Sequence, residues 1–303
     1  MNKLSYFICK TKKAPAYANL VFNKHYGDWL INHKKFKKIS YSPADIFFLQ
    51  IKNGEFRRPD MIIRHLAIDN YYGNNNYGFD LYRKLQDARV RKGYSEEAVK
   101  KFYSLIKSYA ENGYNPNSYI LADKELKLRD GSHRMAMATY LNLSEITVAV
   151  FNATTALVLD YHWLLENGFS AEEVQLLKDK SDSLRREMNV PLKCILWDSS
   201  KADEITAVIN RHGKIIGCEK VTLTAEQLKK INSLCGTKYN MTEVTVVGFQ
   251  LEEPQYLPLR FAQQPVFVQT AAMKKQLRRL NSNTYIPQNF LENSKLVNIL
   301  KNK

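Results

Sequence analysis

The chain has 303 residues, 45% of them hydrophobic, and a formal net charge of +15. This length suits two domains or one large domain, and no apolar run reaches the roughly 20 residues of a membrane-spanning helix. The N-terminus lacks the apolar core of a signal peptide, and the four cysteines lack the paired spacing of a zinc site. We therefore expect a cytoplasmic protein without a transmembrane segment, and the charge admits nucleic acid, an anionic membrane or phosphorylated substrates as partners.

The N-terminal part, residues 1–94, is interpreted as a basic and aromatic extension that contributes to the functional site. Its first 45 residues alternate lysines with aromatic side chains, a pattern that can stack on single-stranded nucleic acid. The interpretation we favour is an extension that packs on the core through its aromatic side chains. A helix is predicted over 61–68, started by Pro59 after a turn at Gly54.

An Asn- and Gly-rich loop, residues 71–78, separates this helix from a second one. Leu81, Leu85 and Ala88 share one face of the second helix, and the pattern places Tyr82 on or near the other face. We expect Gly73 and Gly78 to let the loop close over a substrate.

Arginines are concentrated in this part of an otherwise Lys-rich chain, and guanidinium groups suit bidentate binding of phosphate or carboxylate. The arginines concerned are Arg57, Arg58, Arg64, Arg83, Arg89 and Arg91. One interpretation is a second wall of an anion site. The other interpretation, which applies to each residue of the set taken singly, is an ordinary arginine on a helix surface.

The segment from residue 95 to residue 151 carries the most specific pattern. An amphipathic helix over 95–113 ends at Gly113, and two short strands follow at 119–123 and 126–129. Asp130 and Gly131 then form a turn that opens a helix, with Asp130 as the expected cap and Ser132–Arg134 in the first turn. Free N–H groups and the helix dipole attract phosphate there. A last strand is predicted over 146–151.

The stretch Asp130-Gly131-Ser132-His133-Arg134-Met135-Ala136 resembles the D-G-x-H-R-(hydrophobic)-A signature of the ParB/sulfiredoxin-like superfamily. In that superfamily the loop holds the phosphates of a nucleotide, usually ATP or CTP. The flanking stretches Asn112–Pro116 and Leu143–Val150 resemble the segments that surround this signature. The resemblance covers about residues 95–155 and implies a nucleotide-binding domain there.

Beyond this domain, residues 156–189 are predicted to form a helical bridge of two short helices, the second of which starts with a capping box of Ser170 and Glu173. Residues 190–303 are predicted to form a smaller α/β lobe with a basic tail and a polar, Asn-rich end. The stretch Tyr161–Glu173 resembles an element of ParB-like proteins from bacterial surface-glycan loci. The fold class expected for the whole chain is α+β.

The resemblance implies an ATP-dependent, kinase-like phosphotransferase that acts on a small or carbohydrate-linked hydroxyl substrate. Ser132 replaces the cysteine of sulfiredoxin-like chemistry, so sulfinate reduction is not expected. Asp130 and His133 are the candidate catalytic residues, and Asp130 is also the candidate ligand for Mg2+. The candidate nucleotide- and phosphate-binding residues are Gly131, Ser132, His133, Arg134, Arg58, Arg89 and Arg91. The cofactors implied are ATP, or another nucleoside triphosphate, and Mg2+.

Two alternatives stay open. A ParB-like DNA-binding, partition or nuclease protein would agree with the basic charge, although no helix-turn-helix pattern follows the signature, and DNA is not the favoured partner. A nucleotide-binding module without catalysis would share the site and differ only in turnover.

Overall fold

A computed structural model describes residues 36–52, 54–89, 95–115, 119–154, 159–197, 199–280 and 283–301. Over these ranges the protein is mixed α+β and divides into two compact units. Unit 1 comprises the described residues up to Leu184 together with Arg260–Gln263, and unit 2 comprises Arg185–Leu259 and the described residues from Gln264 onward. The basic and aromatic stretch before residue 36, and Arg91, lie outside the described residues.

Unit 1 is built on a four-stranded mixed sheet in the order β1-β6-β4-β5. Strand β1 is antiparallel to β6, β6 is parallel to β4, and β4 is antiparallel to β5. Strands β2 and β3 form a separate two-stranded sheet. The bounds are β1 Phe36–Tyr41, β2 Ile51–Lys52, β3 Glu55–Phe56, β4 Ile120–Ala122, β5 Leu128–Asp130 and β6 Ile146–Phe151.

Seven helices accompany these strands in the described part of the chain up to residue 188, and the last of them, α7, crosses the division between the units. The bounds are α1 Pro43–Leu49, α2 Pro59–Tyr71, α3 Gly78–Arg89, α4 Ser95–Asn112, α5 Ser132–Tyr140, α6 Tyr161–Glu166 and α7 Ala171–Met188. The predicted order of strand, strand, turn and helix at the signature is confirmed. The capping box of Ser170 and Glu173 is also present.

Helices α2 and α5 run parallel, with their N-termini side by side. Three contacts establish this direction. Arg58, just before α2, donates to the hydroxyl of Ser132, the first residue of α5. His65, in the middle of α2, bonds Thr139 near the end of α5, and Tyr72, just after α2, stacks on Tyr140 with ring centroids 5.7 Å apart. Helix α2 is buried along most of its length.

Residues 36–89 are not set apart from the predicted nucleotide-binding domain. Strand β1 pairs with β6 along its whole length, from Phe36↔Phe151 to Tyr41↔Ile146, and so completes the sheet that carries the signature. The predicted helical bridge likewise does not form a separate body, because α6 and most of α7 belong to unit 1. A single sequence reveals neither the pairing of β1 with β6 nor the place of α6 and α7 in unit 1, since both depend on contacts between residues far apart in the chain.

Unit 2 contains an antiparallel sheet in the order β10-β7-β9-β8. Trp197, Ile231, Val246 and Leu296 belong to its core. The strand bounds are β7 Leu192–Leu196, β8 Lys214–Thr222, β9 Glu243–Gln250 and β10 Thr284–Tyr285. The helix bounds are α8 Ala202–Asn210, α9 Ala225–Cys235, α10 Val268–Arg279 and α11 Phe290–Lys301.

Helix α11 corrects the expectation of a polar, Asn-rich end. Its Phe290, Leu291 and Leu296 are buried, so the apolar spacing was present in the sequence beneath the asparagines. Among the helices of the described ranges, none combines the length and the apolar character needed to cross a bilayer.

The loop between α2 and α3 is held in place by two asparagine side chains. Asn75 donates to the carbonyl of Leu66 and accepts from the N–H groups of Tyr77 and Gly78. Asn70 donates to the carbonyl of Asn75 and accepts from the N–H of Phe79. This network argues against the expected lid, because the loop is bonded to α2 at both ends.

Gly78 allows α3 to start against the backbone of α2. A Cβ added there would lie 1.9 Å from the carbonyl oxygen of Leu66 and 2.7 Å from the nitrogen of Ala67. Only a residue without a side chain fits this close approach, so Gly78 serves packing rather than hinge motion.

We predict that Gly78→Ala lowers the free energy of unfolding by at least about 2 kcal/mol, because the clash is with backbone that cannot rotate away. Urea denaturation followed by circular dichroism measures the loss. Gly217→Ala is the matched control, since a Cβ there meets nothing within 4 Å, and its effect should stay within about 0.5 kcal/mol. Equal stability of the two variants would contradict the packing role.

Candidate functional site

The turn before α5 depends on glycine. Gly131 has φ of +90° and is the N-cap residue of α5. A Cβ there would lie 3.1 Å from Cγ1 of Ile120 and 3.3 Å from Nη2 of Arg134. Asp130 does not cap the helix as expected, because its Oδ1 accepts the N–H of Gly131 at 2.6 Å. The N-cap therefore offers no side-chain acceptor to the first N–H groups of α5.

The start of α2 carries a buried cluster of charges. The guanidinium of Arg58 forms a bidentate pair with Asp60, with distances of 2.8 and 3.0 Å. Nη1 of Arg64 donates to Oδ2 of the same carboxylate at 3.0 Å, the oxygen that also accepts from Nη2 of Arg58. Both Asp60 and Arg64 are almost inaccessible to solvent. Burial alone would raise the pKa of Asp60, but the neighbouring arginines hold it well below its usual range.

Arg58 also links this cluster to the signature. Its Nη1 donates to the carbonyl of Leu128 in β5 at 3.2 Å, and its Nη2 donates to Oγ of Ser132 at 3.0 Å. The Ser132 hydroxyl accepts this bond and can still donate its own hydrogen. Arg58 therefore connects the start of α2 to β5 and to the first residue of α5.

His133 lies in the first turn of α5 and is partly buried. Its Nε2 is 2.6 Å from the hydroxyl of Tyr82, and the ring of Phe102 packs on it with centroids 4.6 Å apart. Burial lowers the pKa of His133 well below its usual value, and the charges of Arg64, Arg89 and Arg134 lower it further while Asp60 opposes them. Burial and these positive charges therefore favour the neutral imidazole over the imidazolium.

Tyr82 is the residue that sequence reasoning missed. The helical pattern placed it on the outer face of α3, whereas the structure leaves it only 1% exposed. Leu81, Tyr82 and Leu85 are all buried, so the apolar face of α3 is wider than the sequence analysis assumed. A stripe drawn through Leu81, Tyr82 and Leu85 would have found it.

Arg134 is committed to the protein itself. It is 8% exposed, its Nη1 donates to the carbonyl of Tyr119 at 2.6 Å, and its Nη2 lies 3.5 Å from Oδ2 of Asp130. These contacts fasten the turn to the chain entering β4. Arg134 adds positive charge to the site, while Tyr119 and Asp130 hold its guanidinium group in place.

The other candidate arginines differ in position. Arg89, near the end of α3, is exposed, and its charge acts on both His133 and Asp60. Arg83 is turned to Asp80 and Glu96 in a surface ion-pair group. Arg91 lies outside the described residues. The structure thus brings Arg58, Arg64, Arg89 and Arg134 to the region of His133, and leaves Arg83 apart from it.

The arrangement suits an anion. Two parallel helices place the positive ends of their dipoles together, and the arginines around them outnumber the carboxylates Asp60 and Asp130. Across the ranges that the structure describes, no group of three or more His, Cys, Asp or Glu side chains lies together as a metal site. A cation here would therefore need ligands from a bound anion in addition to Asp130.

Comparison with protein-family models, curated proteins and solved structures finds no match for this chain.

We predict that Asp60→Asn destabilises unit 1 by about 3–5 kcal/mol, because it leaves two buried guanidinium groups without their carboxylate. Asp80→Asn is the matched control on the exposed carboxylate that pairs with Arg83, and it should cost less than about 1 kcal/mol. Urea denaturation at neutral pH measures both. Similar losses in the two variants would show that the cluster does not hold the fold.

Comparison of the wild type with Asp60→Asn also tests the pKa of Asp60. Its pKa is lowered on folding, so the carboxylate stabilises the fold above about pH 4, the unfolded value, and this contribution falls as the pH drops below it. We expect the difference in unfolding free energy between wild type and Asp60→Asn to narrow from about pH 4 to about pH 2. A difference that is independent of pH over this range would contradict the shift.

Proposed function

We propose that unit 1 binds the phosphates of a nucleotide, ATP or another nucleoside triphosphate, where the N-termini of α2 and α5 meet. The observation that carries this proposal is that two parallel helices begin side by side where arginines outnumber carboxylates. Parallel dipoles repel where like ends meet, and a bound polyanion relieves that repulsion. The D-G-x-H-R signature, which resembles that of the ParB/sulfiredoxin-like superfamily, lies at this point.

The residues have distinct tasks in this proposal. The N–H groups of the first turn of α5 and the hydroxyl of Ser132 donate to phosphate oxygens. His133 donates as a neutral ring, and Arg89 offers an exposed guanidinium. Arg58 and Arg134, both held by other protein groups, keep the loop in shape rather than reaching far outward.

We further propose that the bound nucleotide is a phosphoryl donor for a small or carbohydrate-linked hydroxyl substrate. Such transfer depends mainly on position and on neutralising charge, which Mg2+ and arginines provide. Asp130 is suited to serve as a single carboxylate ligand beside phosphate oxygens, since Mg2+ commonly binds through one or two carboxylates and its substrate. Its Oδ1 accepts the N–H of Gly131, and its Oδ2 lies 3.5 Å from Nη2 of Arg134, so a cation or an acceptor hydroxyl bound at Oδ2 would share that oxygen with Arg134.

A DNA-binding role is the second candidate, and the observation that favours it is the net charge of +15. Helix α10 adds exposed basic side chains at Lys275, Arg278 and Arg279. Retention of duplex DNA that falls steeply with salt, without nucleotide binding, would favour this role. A nucleotide-binding module without turnover is separated from a kinase by incubation with γ-labelled ATP and candidate hydroxyl acceptors.

We predict that Arg89→Ala weakens the binding of ATP about tenfold, close to the lower end of the range for a charge-assisted hydrogen bond. Isothermal titration calorimetry measures the affinity. Arg89 is chosen because it is exposed, so its removal tests the ligand rather than the fold.

Arg83→Ala is the matched control, since it removes the same charge from the same helix at a position paired with Asp80 and Glu96. Its affinity for ATP should equal that of the wild type. Equal weakening in both variants would indicate a general charge effect, and no weakening in Arg89→Ala would remove Arg89 from the site.

A further inference from the structure

The hydroxyl of Tyr82 makes a short, buried contact with the signature histidine. Its oxygen lies 2.6 Å from Nε2 of His133, while Tyr82 itself is 1% exposed. Phe102 packs against both rings, with centroids 5.1 Å from Tyr82 and 4.6 Å from His133. The guanidinium carbon of Arg64 lies 5.8 Å from the centre of the Tyr82 ring. The pair is therefore fixed from several sides.

The chemistry of the phenol and the imidazole decides which of them donates the hydrogen of this bond. A neutral imidazole has one N–H donor and one bare acceptor nitrogen, and a phenol keeps its proton until about pH 10. Nearby positive charge from Arg64 favours the phenol as donor, since it draws electron density from the oxygen. If the phenol donates, Nε2 is bare and the proton of His133 is on Nδ1.

The opposite tautomer would work against an anion. It would place the proton between Nε2 and the phenol oxygen, and it would leave a lone pair on Nδ1, the ring nitrogen that does not face Tyr82. That lone pair repels a phosphate oxygen, whereas an Nδ1–H group donates to it.

We propose that Tyr82 is a positioning residue that holds His133 in the neutral Nδ1–H tautomer, so that the ring presents a donor to a bound phosphate group. The tautomer rests on the Tyr82–His133 contact, and its use rests on the proposed nucleotide site. His133 then contributes a hydrogen bond without contributing charge, which separates its task from that of the arginines around it.

The tautomer is measured directly by nitrogen NMR on the full chain labelled at histidine, because bare and protonated ring nitrogens have distinct chemical shifts. The signal of His133 is the one that disappears in His133→Gln. We expect the wild-type protein without ligand to show a protonated Nδ1 and a bare Nε2 for this residue. A protonated Nε2 in the folded wild type would overturn the proposal.

Tyr82→Phe removes the hydroxyl and keeps the ring. We expect it to redistribute His133 toward the Nε2–H form and to weaken ATP binding about tenfold, the scale of one hydrogen bond to a charged group. Tyr109→Phe is the control, since Tyr109 is also buried, in α4, and its hydroxyl makes no hydrogen bond within the described part of the chain. It should change neither the tautomer nor the affinity.

Each result decides one question. An unchanged tautomer in folded Tyr82→Phe would overturn the role of Tyr82. If that variant does not fold, the wild-type nitrogen shifts alone decide. A wild-type protein that shows the Nδ1–H form but binds no ATP would support the Tyr82–His133 arrangement and reject the proposed nucleotide site.

Discussion

The carboxylate of Asp60, held between Arg58 and Arg64, is the interaction on which unit 1 depends. Burying three charges is costly unless each is paired and hydrogen-bonded, and here Arg58 also reaches the carbonyl of Leu128 and the hydroxyl of Ser132. One cluster thus connects the start of α2 to β5 and to the start of α5. The parallel packing of the two helices follows from this connection, because it fixes both N-termini at the same point.

The excess of positive charge that suits a bound anion also destabilises the protein when no anion is bound. The negative charge of Asp60 in the first turn of α2 offsets the positive end of the helix dipole. The positive charge of the arginines nearby is larger than the negative charge of Asp60, so the region stays positive. The surplus raises the electrostatic free energy of the protein without a ligand, and a bound anion lowers it. The proposed ligand would therefore stabilise the fold by an amount that grows with its concentration.

The sequence predicted local features well and long-range ones poorly. The turn at Gly131, the start at Pro59 and the box at Ser170 each depend on a few neighbouring residues, and all three were predicted. The pairing of β1 with β6, the burial of Tyr82 and the bonded loop at Asn75 depend on residues far apart in the chain. Asp60 was also missed as a site residue, although Asp and Arg four positions apart on a buried helix would have suggested it.

The contacts that build the site also delay its formation during synthesis. Arg58 meets Ser132, and His65 meets Thr139, across 74 residues in each case. At ribosomal rates of about 5–20 residues per second, Arg58 and His65 wait roughly 4–15 seconds for their partners in α5. Through this interval they remain in water, where an isolated charge carries no desolvation cost. The packing of α2 against α5 is therefore completed late, and until then the hydrophobic side chains of α2 that face α5 are exposed, a state that chaperones recognise.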